Sequence, residues 1–195
     1  MRGGYYHLNV LITCQKKREE LGIPLDAHWL LNVGELIPRK NQETLIRAVA
    51  QIKEIYLTIA GKGALFDELA SLIVELGVND RVKLLGYRSD IAELCNSCDI
   101  FAFPSFHEGL PVSVMEAMAS GLPILCSHIR GNTDLINGNG GRLFDPHSVN
   151  ECVSALHNLL KEELSVLGKE NSKRIEKFSE NNVIKYMKKL YGLLS

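Results

Sequence analysis

From residue 28 onward the chain alternates short apolar runs with longer amphipathic stretches, and this alternation most constrains its fold. Trp29–Val33, Tyr56–Ala60, Val82–Leu85, Ile100–Phe103, Pro123–Cys126 and Gly141–Phe144 read as short buried strands. The stretches between them carry helical spacing, as with Leu45, Ile46, Val49 and Ile52 within Asn41–Ile52. Further helices are predicted over Leu65–Leu76, 91–98, 112–119, about 149–161, 164–178 and 180–194. Strands that alternate with helices build a parallel sheet through right-handed crossovers, with helices on both faces. The expected fold class is therefore α/β, a parallel sheet of about six strands.

In such sheets ligands bind beyond the carboxyl ends of the strands. One stretch, Ile100–Gly121, is built for this. Its strand must stop at Pro104, which cannot donate to a ladder. Ser105–Leu110 is then a loop carrying His107, Glu108 and Gly109, and Pro111 is preset for the first turn of a helix that continues from Val112 to Ala119. Gly121 closes that helix. Backbone N–H groups at such a helix start, from Gly109 to Val112, favour an anion. Glu108 and Glu116 flank the start with seven residues between them. Either glutamate alone reads equally well as an ordinary surface or dipole-complementing residue.

Three other turns follow strands. Gly34 lets a ligand approach the backbone closely, and Lys40 opens the next helix, where a cation meets the positive end of the dipole. A phosphate there would remove that conflict. Arg39, next to Lys40, is expected to point elsewhere. Gly61-Lys62-Gly63 is a tight turn that is neither a Walker loop nor a dinucleotide fingerprint. Gly86-Tyr87-Arg88-Ser89-Asp90 precedes the helix at Ile91, with Asp90 as its expected N-cap. A fourth loop, His128–Asp134, reads as structural, including capping of the helix around Thr133.

The stretch around Glu108 and Glu116 resembles the E-x7-E signature of the retaining GT-B glycosyltransferases, the group 1 or family 4-like enzymes that include bacterial polysaccharide and lipopolysaccharide transferases. Pro104-Ser105, Glu108-Gly109, Pro111, Glu116-Ala117-Met118-Ala119 and Gly121-Leu122-Pro123 stand where that family has them. The resemblance covers roughly residues 28 to 195. It implies a Rossmann-like domain, one half of a GT-B fold, that binds a nucleotide-diphosphate sugar and transfers the sugar to a glycan or lipid-linked acceptor. The implied reaction is retaining, with no cofactor and no metal. Gly34–Asn41 resembles the family's G-R-L-x-x-x-K-[GN], whose basic pair holds the donor diphosphate; Lys40 matches the Lys, and Glu35 stands in place of the Arg. Gly61 and Lys62 lie where the family's G-x-G borders the nucleotide. Tyr87 and Arg88 lie in its nucleobase loop. His107 either reaches the donor or lines the pocket mouth, and Glu108 holds donor-sugar hydroxyls. Gly109, Leu110, Pro111 and Val112 cradle the diphosphate, and Glu116 takes the ribose diol. Lys40 and Glu108 are the implied catalytic pair.

On this reading residues 28–195 form the donor-binding domain with its C-terminal helices, and residues 1–27 are a linker or the remnant of a missing N-terminal domain that would bring the acceptor. Within 1–27, residues 15–21 favour a helix. Two rivals stay open: a nucleotide-sugar 2-epimerase of the same architecture, and a non-catalytic nucleotide-binding or assembly module. The formal net charge of −1 gives no electrostatic case for nucleic acid. The apolar run Leu8–Cys14 is too short to span a membrane and lacks the flank of a secretory leader. Cys14, Cys95, Cys98, Cys126 and Cys152 make an odd set that favours reduced thiols and the cytoplasm, while peripheral association of the full-length enzyme with the inner face of the membrane is compatible. Cys95 and Cys98 read better as small buried hydrophobes than as half of a zinc site. His7, His28, His147 and His157 show no triad or metal spacing.

Overall fold

The computed structural model describes residues 13–136, 138–179, 182 and 184. Its centre is one six-stranded sheet. The strands are β1 (His28–Val33), β2 (Ile55–Ala60), β3 (Val82–Gly86), β4 (Ile100–Phe103), β5 (Ile124–Ser127) and β6 (Gly141–Phe144). Every neighbouring pair is parallel, in the order β3-β2-β1-β4-β5-β6. Residues 13–21 form α1. The later helices are α2 (Gln42–Ala50), α3 (Phe66–Glu75), α4 (Ile91–Cys95), α5 (Val112–Ala119), α6 (Arg130–Leu135), α7 (Val149–Leu160) and α8 (Leu164–Ile175). The predicted α/β class and strand count are borne out. The predicted helix over 180–194 and most of the run Leu8–Cys14 lie outside the described residues.

Both faces of the sheet are covered, so the strands read as continuous apolar runs rather than alternating ones. The side chains nevertheless divide by parity. Leu30, Leu57, Ile59, Ile100, Ala102 and Leu125 enter a core with α2, α3 and α7. Trp29, Leu31, Phe101, Phe103, Ile124 and Cys126 enter a second core with α4, α5 and α6. Leu21 and Ile23, at the end of α1 and just after it, are buried in this second core. Segment 13–27 therefore packs against the sheet through those side chains. Arg18 fastens it further, donating to the carbonyls of Pro24 and Ala27 and to the carboxylate of Asp99, 2.7 Å away.

Cys95, Cys98, Cys126 and Cys152 are buried among these apolar side chains. Burial, with a smaller contribution from the Glu116 charge, pushes the Cys95 thiol up to about 11. Such thiols stay protonated and behave as small hydrophobes. No group of His, Cys, Asp and Glu among the described residues is arranged to hold a metal ion. No helix among the described residues is long and apolar enough to cross a membrane.

Candidate donor-binding site

The strand order reverses direction at β1, which has β2 on one side and β4 on the other. A crevice opens at such a switch point, between loops leading to opposite faces of the sheet. Here the loops are residues 34–41 after β1 and 104–111 after β4. They are tied directly: the Phe106 N–H donates to the Arg39 carbonyl at 2.9 Å.

Asn41 is the joint of this arrangement. It is the one non-glycine among the described residues with a positive φ, 54°, which Asn tolerates better than most residues. A residue so placed cannot continue a helix, so α2 begins at Gln42 rather than Asn41. The Asn41 amide donates to the carbonyls of Pro104 and Pro146, at 3.1 and 2.9 Å, and its oxygen accepts from the Thr44 hydroxyl. One side chain thus joins the loops after β1, β4 and β6.

Lys40 lies in a short 3-10 turn, Pro38–Lys40, rather than in the helix. Its ammonium is 2.7 Å from Glu108 Oε1, and both side chains are largely buried, at 15% and 9% exposure. The expected conflict between Lys40 and the helix dipole is answered in this structure by Glu108. Arg39 corrects the sequence reading. Its guanidinium turns toward the same loop, with Nη1 3.3 Å from Glu108 Oε2 and donating to the His107 carbonyl at 3.1 Å. Two cations from one turn therefore converge on one carboxylate.

Beyond Glu108 the chain enters α5. Pro111 is buried, while Gly109, Leu110 and Val112 are exposed at the helix start. The N–H groups of Gly109, Leu110 and Val112 find no backbone acceptor among the described residues. Glu116 is exposed, one turn into the helix and close enough to α4 for its charge to act on Cys95. The His107 side chain is exposed at the loop's rim. Gly131 in α6 explains the neighbouring loop: a Cβ there would lie 2.3 Å from the Gly109 carbonyl oxygen and 2.8 Å from that of Glu108. Ile129, not a capping side chain, precedes α6. Asn132 instead anchors the loop, donating to the carbonyl and hydroxyl of Ser127.

The remaining predicted residues gather at the ends of β1, β2 and β3. Val33, Gly34, Glu35, Gly61, Lys62, Tyr87 and Arg88 line a cleft of about 350 Å³, together with Ala60 and Ile91. Gly61 is required by close packing: a Cβ there would sit 1.8 Å from the Gly34 carbonyl oxygen. Tyr87 is 70% exposed, with the Lys62 ammonium 5.5 Å from its ring centroid. Arg88 borders the cleft, but its guanidinium is held by Asp90 and by Glu20 of α1. Asp90 does not cap α4 as expected. Its carboxylate is occupied by Arg88 and by Lys17, and these cations hold it well below the usual carboxylate range. The cleft and the Glu108 loop are neighbours across the switch point, linked by the segment from Gly34 to Lys40.

Comparison with known proteins places this architecture. The family model for glycosyl transferases group 1 matches residues 14–182, and the chain belongs to that family. It is 33% identical over 190 residues to the putative glycosyltransferase EpsD of Bacillus subtilis, covering 93% of this chain and 49% of that protein. It is 29% identical over 186 residues to an Escherichia coli galactosyltransferase that uses UDP-Gal and a GlcNAc-diphosphoundecaprenol, covering 91% of this chain and 48% of that protein. Among solved structures, HepE of Anabaena in complex with UDP-glucose matches with a TM-score of 0.83 and 25% identity, covering 93% of this chain and 53% of that one. The chain thus spans about half the length of the curated relatives just named.

Proposed function

We propose that this chain is the donor-binding half of a retaining, metal-independent glycosyltransferase that uses a nucleotide-diphosphate sugar in the synthesis of a cell-surface glycan. The observation that carries the reading is the contact of Lys40 with Glu108 at the switch point, beside the open N–H groups of Gly109, Leu110 and Val112. In this proposal the diphosphate lies at the start of α5, where the helix dipole and a cation both favour it. As the sugar departs, negative charge grows on the leaving diphosphate. Lys40 and the N–H groups stabilise it, a form of electrostatic preorganisation that is often the largest catalytic contribution. Glu108, released from Lys40, accepts hydrogen bonds from sugar hydroxyls. Glu116 accepts from the ribose diol with its two carboxylate oxygens. The cleft beside Tyr87 and Lys62 takes the base. The acceptor comes from a second domain. UDP-glucose bound to a related structure and UDP-Gal named for a relative support uracil as the first base to test.

Lys40→Ala tests the reading. Calorimetry is run with UDP, GDP and the two nucleosides. The variant is expected to lose more than tenfold in affinity for the diphosphate that binds, about 1.4 kcal/mol, and far less for its nucleoside. Equal losses for both would overturn the diphosphate assignment.

A further inference from the structure

We infer that Arg39 is the second diphosphate-binding cation of this site, a role that position 35 does not fill. The inference rests on the donor reading above, and it concerns which side of the crevice supplies the charge. Glu35 is exposed at the mouth of the cleft and makes no ion pair among the described residues, so the cleft rim carries a carboxylate beside Lys62. The positive excess lies on the other side. There Arg39 and Lys40 face the single carboxylate of Glu108, leaving one net positive charge at the loop that opens onto α5.

The Arg39 guanidinium is geometrically suited to an anion. Only Nη1 is used by protein, shared between Glu108 Oε2 at 3.3 Å and the His107 carbonyl at 3.1 Å. Nε and Nη2 have no hydrogen-bond acceptor among the described residues, and the side chain is 45% exposed. A guanidinium presents its donors in a planar fork that matches two phosphate oxygens at once. The backbone beneath it is fixed: the Arg39 carbonyl accepts from Phe106, and Asn41 locks the turn that follows. Arg39 thus sits on a rigid support at the rim of the Glu108 loop. Nε and Nη2 of Arg39 can meet a diphosphate while Nη1 stays on Glu108, and beside the Lys40 ammonium they make two adjacent cations that a diphosphate matches.

The test compares Arg39→Gln, Arg39→Lys, Lys40→Ala and the double change Glu35→Arg/Arg39→Gln, with UDP and GDP against uridine and guanosine by calorimetry. Arg39→Gln is expected to weaken the diphosphate at least tenfold while leaving the nucleoside within twofold. Arg39→Lys should recover less than half of that loss on a logarithmic scale, because the fork is gone. Adding Glu35→Arg should restore most of the affinity, since it places a cation on the opposite wall. If Lys40→Ala is selective for the diphosphate but Arg39→Gln is neutral, or if it hits nucleoside and diphosphate alike, Arg39 only braces the His107 loop and the inference fails. If Lys40→Ala is unselective as well, or if neither nucleoside diphosphate binds the parent chain, the donor reading itself fails and takes this inference with it.

Discussion

The Lys40–Glu108 pair should be worth more to stability than a surface ion pair, and this can be measured without any ligand. The two side chains are 15% and 9% exposed, so solvent screens them poorly. A hydrogen bond to a charged group contributes about 1.5–3 kcal/mol. Stripping a partner from a buried charge costs about 3–5 kcal/mol when nothing compensates. Arg39 remains 3.3 Å from Glu108 Oε2 and offsets part of that loss. Lys40→Met, which keeps a side chain of similar length but removes the ammonium that also lies 5.1 Å from the Phe103 ring centroid, is therefore expected to cost about 2 kcal/mol. For a domain of this size that lowers Tm by roughly 4–8 °C. Glu108→Gln should cost a similar amount, since it leaves two cations facing a neutral amide. The double variant should cost clearly less than the two together, with a coupling of about 1–2 kcal/mol. Urea unfolding of the four proteins at low salt gives the cycle. Additivity within about 0.5 kcal/mol would refute the reasoning, because it would mean that each side chain acts through other contacts.

Other outcomes follow from the same geometry. Glu116→Gln should leave Tm unchanged and weaken binding of the preferred nucleoside diphosphate by about 1.5–3 kcal/mol in calorimetry; unchanged affinity would remove Glu116 from the site. Gly131→Ala places a methyl group 2.3 Å from the Gly109 carbonyl oxygen, so it should destabilise by about 1–3 kcal/mol and also displace the Glu108 loop, lowering nucleotide affinity; a loss in Tm with affinity intact would separate α6 from the site. The Asp90 carboxyl is held low by Arg88 and Lys17, so its contribution to folding is present above the ordinary carboxylate range and is lost as pH falls through and below that range. The stability gap between the parent and Asp90→Asn, measured by urea unfolding, should accordingly be largest near neutral pH and shrink toward pH values around 3, and a gap independent of pH would contradict the assigned pairing.

The sheet was legible because its signal is local and repeated. Each strand is a short run apolar on both parities, and each helix has its own period, so neither needs knowledge of a distant residue. The loop after β4 was legible for a similar reason, since Pro104, Gly109 and Pro111 mark its limits within the stretch itself. The details that assemble the site were not. Arg39 and Lys40 are adjacent in sequence, and nothing local says that a 3-10 turn directs Arg39 toward His107 and Lys40 toward Glu108, each 68 positions away. Asn41 looked like the first residue of a helix because its left-handed φ is fixed by two carbonyls 63 and 105 residues distant. Asp90 has the residue type and position of an N-cap, but Lys17 and Arg88 together compete successfully for its oxygens. Gly61 reads from the sequence as part of a tight turn. The structure adds that it makes room for the Gly34 carbonyl, which brings the loops after β1 and β2 into contact.

That contact bears on how the site can work. Gly61 and Gly131 let carbonyls of the Gly34 and Gly109 segments approach within distances that a side chain would forbid, so the loops are set by contact with one another. Asn41 adds a polar tie across three of them. A site built this way has little freedom left in its backbone, and the adjustment on donor binding falls to side chains. Under the proposed function Lys40 leaves Glu108 to meet a phosphate, and Glu108 leaves Lys40 to meet a sugar hydroxyl. Both exchanges then occur in one event, and each partner gains a ligand group as it loses the other. Donor affinity is then the difference between two sets of charged contacts, not the sum of new ones. It follows that a nucleoside diphosphate without its sugar completes only the Lys40 half of the exchange. Such a ligand leaves Glu108, at 9% exposure, with Nη1 of Arg39 as its one cationic partner, which sets a physical reason for the sugar itself to contribute to binding.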